Sequence, residues 1–312
     1  MRRQVMGGVA ARVVVLAVVI GALVSGCGSG PSQVGAAAII GSTAVPTQDV
    51  EARLDQALAR TEIVDQLSAQ GVITPDIVRD IVTQSVLHEL SVVAARENGI
   101  VVTDADVDAE LATLGGPEAV LERFLGDLPT VRERVWDQLV AERLATQLAG
   151  GLAVTVDIAG VASRSDAEEA ARVLAAGGPE AEAYFAANPE TSRRAYEYRA
   201  SANPDVAISP VFGTPVGGSG WFQPVPGQDS WIAFHVVDRR TDAPPVPPEM
   251  DALAQVGKSG LVEIGMRQLQ PVADEVGVRV NPRYGVWDQV SLRVLDEEQI
   301  AGGLLPPSPS RS

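Results

Sequence analysis

Apolar residues recur at helical spacing through most of the first half of the chain. Val50, Leu54, Ala57 and Leu58 share one face, Glu51, Arg53 and Asp55 lie opposite, and Thr47 stands where an N-cap is needed. The clearest segment opens at Thr74-Pro75-Asp76, with Thr74 as cap and Pro75 in the first turn. It runs through Val78, Val82, Val86, Leu90 and Val93 and stops at Asn98-Gly99. Residues 103–106 form a capping box for a helix through Val107 and Leu111 that ends at Gly115-Gly116. Residues 130–148 carry one more amphipathic helix. Ahead of all these, Ala36–Ile40 reads as a short strand closed by Gly41-Ser42.

The pattern changes at Gly150-Gly151, and eleven of the thirteen aromatic residues fall between Tyr184 and Trp287. Residues 154–161 have strand character, 165–168 can cap a helix ending at Gly177-Gly178, and Pro179 starts another. The polar stretch 188–210 reads as loop, and 230–238, around Trp231, Ile232, Phe234 and Val236, as a buried strand. The run Pro244-Pro245-Val246-Pro247-Pro248 is a stiff linker. Residues 249–276 return to helical pattern, weakened by Gly257, Gly260 and Gly265, before a strand at Val278–Val280. That lone strand and Ala36–Ile40 must satisfy their backbone groups somewhere, which predicts that they pair.

The chain begins with Arg2, Arg3 and Arg12 around the apolar run 13–23, followed by Leu23-Val24-Ser25-Gly26-Cys27. The run is shorter than the roughly 20 residues of a membrane span and ends in small side chains, as a signal peptide with a lipobox does. Cys27 is the only cysteine, so the expectation is cleavage before it, lipidation (diacylglyceryl and an N-acyl chain such as palmitate) and anchoring on the outer face of the cytoplasmic membrane. No disulfide is then possible, and a hydrophobic core must hold the fold. Loss of the leader's three arginines takes the net charge from −16 to −19, which disfavours nucleic acid and anionic lipid as partners and favours neutral or basic ones. Lys258 is the sole lysine among 24 basic residues, a bias expected of a GC-rich, actinobacterial genome.

The strand, glycine turn, Thr47-Gln48-Asp49-Val50 and amphipathic helix resemble the opening of the SurA and PrsA family of extracytoplasmic chaperones. The resemblance is stronger over Val86-Leu87-His88-Glu89-Leu90, Ala94-Ala95, Gly99-Ile100-Val101-Val102-Thr103 and Asp106-Val107, which look like that family's helix, Gly-x-x-Val-Thr joint and following helix. In that family a parvulin-type prolyl isomerase domain follows, with two histidines facing each other on its first and last strands beneath a proline pocket. The first strand here, Val156-Asp157-Ile158-Ala159-Gly160-Val161, has no histidine. In the closing strand the family's histidine falls on Ile232, and His235 lies three residues further on. Gly217-Gly218-Ser219-Gly220-Trp221-Phe222 is similar to the family's Gly-Gly-x-Leu-Gly-Trp-Phe turn, but it lacks the leucine and lies too near the last strand, so it is set aside as coincidence.

The resemblance implies an α+β protein, in which a helical SurA/PrsA-like chaperone domain closed by N- and C-terminal strands carries an inserted, degenerate parvulin-like α/β domain. The segments are a signal peptide (1–26), lipidated Cys27 with its flexible tether (27–35), the helical domain (36–151), the parvulin-like domain (152–242), a linker, helix and strand returning to the helical domain (243–295), and a disordered tail (296–312). Removing residues 155–240 should then leave a folded helical body. The implied function is a holdase for unfolded or exported polypeptides, with an active prolyl isomerase or a passive solute-binding or adaptor lipoprotein as alternatives. No residue is assigned to catalysis, to a metal or to a cofactor. His88 and His235 are read as structural. Asp104, Asp106, Asp108 and Glu110 are read as helix-start capping rather than calcium ligands, and Trp221, Phe222, Trp231 and Phe234 as core rather than client contacts.

Overall fold

A computed structural model describes residues 34–225, 227–300 and 302–307, so the leader and Cys27 lie outside the described residues. In chain order come β1 (Ala36–Ile40), β2 (Thr43–Pro46), α1 (Thr47–Leu58), α2 (Thr61–Ala69), α3 (Thr74–Glu97), α4 (Asp104–Thr113), α5 (Pro117–Leu121) and α6 (Leu128–Leu148). There follow β3 (Ala153–Val161), α7 (Arg164–Ala176), α8 (Gly178–Ala187), β4 (Ser192–Arg199), α9 (Pro204–Ala207), β5 (Ser219–Phe222) and β6 (Trp231–Arg240). The chain closes with α10 (Leu253–Arg267), α11 (Leu269–Val276), β7 (Val278–Val280), β8 (Val286–Asp288), β9 (Arg293–Leu295) and β10 (Gly302–Leu305).

β1 is the seam of the helical layer. It lies between β2 and β7, with Ala38 opposite Val280 and Ile40 opposite Val278, as its isolation in the sequence requires. Asn281 fastens the end of this ladder by donating from Nδ2 to the carbonyl of Ala36 at 3.1 Å. All five β1 residues are buried, and Ala37, Ala38 and Ile40 join a core with Val82, Val86 and Leu90 of α3, Leu144 of α6 and Leu269 and Val272 of α11. A smaller cluster joins α4 to α6 through Val107, Leu111, Val131, Val135 and Leu139. Three caps differ from expectation by a residue or two. Pro46, not Thr47, is the N-cap of α1, and Thr47 is the first residue of the helix. Ile73, not Thr74, is the N-cap of α3, because the Asp76 carboxylate accepts the Ile73 N–H at 3.1 Å. Ser163, not Ser165, caps α7, accepting from the N–H of Asp166 at 3.1 Å.

The second layer is an antiparallel sheet of order β10-β5-β6-β3-β4. One face packs under α7, where Ala167, Ala170, Ala171 and Leu174 meet Trp221, Trp231 and Ala233. The other face shares a core with the helical layer: Val154, Val156, Phe212, Phe234 and Val236 pack on Ala145, Ala149 and Leu152 at the end of α6 and on Ile264 of α10. Burial of those aromatics matches their reading as core. Helices α6 and α10 approach so closely that a Cβ on Gly265 would stand 1.8 Å from the carbonyl oxygen of Ala141. The glycine that weakens the helical pattern is therefore what lets the two helices touch.

Two expectations need correction. The stretch 188–210 is not all loop, since Ser192–Arg199 pairs with β3. It is an edge strand whose outward residues are charged, and that hides the alternation a half-buried strand shows. The tail expected to be disordered over 296–312 instead adds β10 to the sheet, Gly302 pairing with Phe222 and Leu305 with Ser219. Its glycines permit this: a Cβ on Gly303 would come 2.5 Å from the ring of Trp221. Both layers fall within one compact unit.

Candidate functional site

The register of β3 and β6 decides what the sheet can do. Gly160 lies opposite Ile232, the position where the family's closing-strand histidine falls, so neither residue of that pair titrates. Three residues along β6, His235 lies opposite Asp157 on one side and Ser219 on the other. Its Nδ1 is 2.8 Å from Ser219 Oγ. Burial pulls the His235 pKa down, against the opposing field of Asp157. A Ser-His-Asp row invites a nucleophilic reading, but Ser219 has no exposed surface and Asp157 makes no ion pair with the imidazole. One of its carboxylate oxygens accepts the N–H of Ala195 at 2.8 Å, where β4 bulges through a left-handed φ of 47°. The row pins four strands together. It has no substrate access and no base aligned on an open nucleophile.

In the helical layer His88 of α3 faces Asp137 of α6, Nδ1 to Oδ1 2.9 Å apart, with Trp136 edge-on to the imidazole at 5.6 Å. Burial pushes the Asp137 carboxyl up to about 6, against the opposing effect of His88. Burial also opposes charge on His88, but its bond to Asp137 and the nearby Glu133 and Glu89 outweigh that and raise its pKa. The two titrate as a unit that keeps one shared proton to higher pH than a free histidine. Both histidines therefore have structural partners on neighbouring elements.

The acids at the start of α4 are held by cations from other helices. Arg132 reaches Asp104 and Asp108, Arg143 reaches Asp106, and Lys258 of α10 reaches Glu110 and Glu142. Asp106 also accepts the backbone N–H and hydroxyl of Thr103, and its carboxyl falls to about 2. These pairs neutralise the acids. Among the described residues no group of three or more His, Cys, Asp or Glu is placed to hold a metal, and no helix is long and apolar enough to cross a membrane.

Two of the open clefts among the described residues bring several elements together. The larger, about 750 Å³, lies between β7 and β10 and is lined by Arg79, Tyr284, Trp287, Ile300 and Leu304 among others. β7 and β10 are each the end strand of their sheet, so backbone edges and aromatic rings face the same space. Tyr284 is buried under the guanidinium of Arg283, 4.6 Å from the ring. The hydroxyl of Tyr284 and the indole N–H of Trp287 have no hydrogen-bond partner among the described residues. The second cleft, about 500 Å³, lies between α3, α6, the end of α10 and the β8–β9 hairpin, with Arg134, Arg267 and Arg293 in its walls. The sequence does not signal either cleft. Tyr284 and Trp287 sit in a turn and a three-residue strand, and the arginines are scattered over three elements.

Residues 1–116 match a sequence family described as a SurA-like N-terminal domain. No curated protein matches the chain. A solved structure of the foldase protein PrsA from Lactococcus lactis aligns over 82% of this chain and 97% of its own, at 11% identity and a TM-score of 0.27, too loose to carry residues across. The match over residues 1–116 spans β1, β2, α1 to α4 and the Gly-Ile-Val-Val-Thr joint, so this part of the chain is similar to SurA-like N-terminal domains.

Proposed function

We propose that the protein is a holdase for unfolded or exported polypeptides, tethered to the outer face of the cytoplasmic membrane through lipidated Cys27. The observation that carries this reading is the cleft of about 750 Å³ between two sheet edges. An extended segment laid along β7 or β10 would satisfy its own backbone groups there while its side chains meet Tyr284, Trp287 and Leu304. Recognition through backbone edges and apolar contact tolerates many sequences, as a holdase requires. A second layer acting as prolyl isomerase would need to lower a barrier of about 18–20 kcal/mol, and Gly160 opposite Ile232 supplies no polar group for it.

Both activities are measured on one mature, unlipidated preparation. Suppression of aggregation of a denatured client at stoichiometric ratios is expected, with little or no acceleration of X-Pro isomerisation. Rapid isomerisation abolished by His235→Ala would overturn the assignment of the sheet layer, and unhindered aggregation would overturn the holdase. In cells, Cys27→Ala should leave unprocessed or soluble protein; an unchanged acylated product would overturn the anchor.

A further inference from the structure

The cleft of about 500 Å³ differs from the larger one in its electrostatics. Arg267, at the end of α10, is only partly accessible and forms no ion pair among the described residues, unlike most arginines of this acidic protein. Its Nε donates to the carbonyl of Ile208 and its Nη1 to Gln270 Oε1, each at 2.9 Å. Gln270 is itself held, donating from Nε2 to Thr214 Oγ1 at 3.1 Å, and Thr214 donates to the carbonyl of Pro210. Neutral acceptors therefore fix the plane of the guanidinium and leave its positive charge uncancelled. Burial lowers the Arg267 pKa to about 10, with Asp288 opposing from a distance, as expected of a cation lacking a counter-ion.

The walls add two more arginines. Arg134 stacks 5.3 Å over Phe124, and Arg293 makes only a long contact, 3.8 Å, with Asp80. Against three arginines stand Asp80 and the exposed Glu263, while Leu87, Met266 and Leu292 supply apolar wall. A net-positive, partly apolar pocket with one oriented fork complements a carboxylate carried on an apolar chain. We propose that this pocket anchors a carboxylate group of an extended client polypeptide, with Arg267 as the anchoring cation. The proposal rests on the client-binding reading and adds selectivity to it. At long range the acidic body repels acidic segments, so the pocket acts only after contact, within a Debye length of about 8 Å.

The test uses labelled peptides of one apolar sequence in three forms: internal Glu with an amidated end, internal Gln with a free C-terminus, and internal Gln with an amidated end. The wild type should bind at least one carboxylate form about tenfold more tightly than the neutral form, and which form wins identifies an acidic side chain or a chain end as the source. Arg267→Gln should remove the preference and leave binding of the neutral peptide unchanged. Glu263→Gln, an exposed substitution that leaves the Arg267 hydrogen bonds intact, should raise the preference and keeps the test valid should Arg267→Gln unfold. Equal binding of all three peptides by the wild type overturns the carboxylate site and leaves the holdase standing. Binding of none overturns both.

Discussion

The proton shared by His88 and Asp137 makes the contact between α3 and α6 sensitive to pH. Both folded values lie above the ordinary ones. The stabilisation from His88 is therefore complete below its unfolded pKa, about 6.5, and is lost as pH rises through the raised folded value. Asp137 acts in the same direction: its ionisation in a buried site costs stability between about pH 4 and its folded value of about 6. The melting temperature is thus expected to fall by a few degrees between pH 6.5 and 8.5, and Asp137→Asn, which leaves His88 without its anion, should flatten that slope. A ring titration of His88 by NMR should place its midpoint above that of a free histidine and lower it in the variant. A midpoint at or below the free value would refute the pairing. The sequence marks His88 and Asp137 only as residues on two separate helices; their contact is set by how α3 and α6 cross. Arg267 is hidden for the opposite reason, because its significance is a missing partner.

At the scale of elements, the helices were legible wherever an apolar stripe, a cap and a glycine stop coincided, as in α3, α4 and α6. The pairing of β1 with β7 was legible from backbone accounting alone. The edge strands were not. β4 carries charge on its outward positions, and β10 is made of glycine and leucine beside prolines, so neither shows the alternation that betrays a strand with one wet face. Gly265 shows the same limit in a helix, since a propensity scale records it as a weakness and only the crossing of α6 and α10 reveals its use. Gly265→Ala should force the Cβ into the Ala141 carbonyl and separate the helices, at ~1–3 kcal/mol or more. Gly150→Ala, where nothing lies within 4 Å of the added carbon, is the control and should be near neutral. Equal melting temperatures for the two variants would show that α6 and α10 do not pack as described.

At the scale of the whole molecule, the order of elements suggests a sheet layer inserted between two parts of a helical one, and the packing shows why removing it would not be harmless. Phe212, Phe234, Val156 and Val236 are the cover for Leu152, Ile264, Ala145 and Ala149. β10 hydrogen-bonds only to β5, so deletion of residues 155–240 also strips the last strand of its partner. Exposure of Leu152 and Ile264 alone costs about 1.5–3 kcal/mol each, against a total stability of about 5–15 kcal/mol for a typical domain. Loss of the Arg239 to Gln268 and Arg267 to Ile208 bonds adds to this. The helical layer retains its own core around β1 and α3, so collapse with much of the helix content is expected, but not a sharp transition. A chain lacking residues 155–240 should therefore keep its far-ultraviolet helical signal, melt broadly and well below the full chain, and bind a hydrophobic dye. A cooperative transition near that of the full chain would mean that the two layers are independent and that the shared core contributes little.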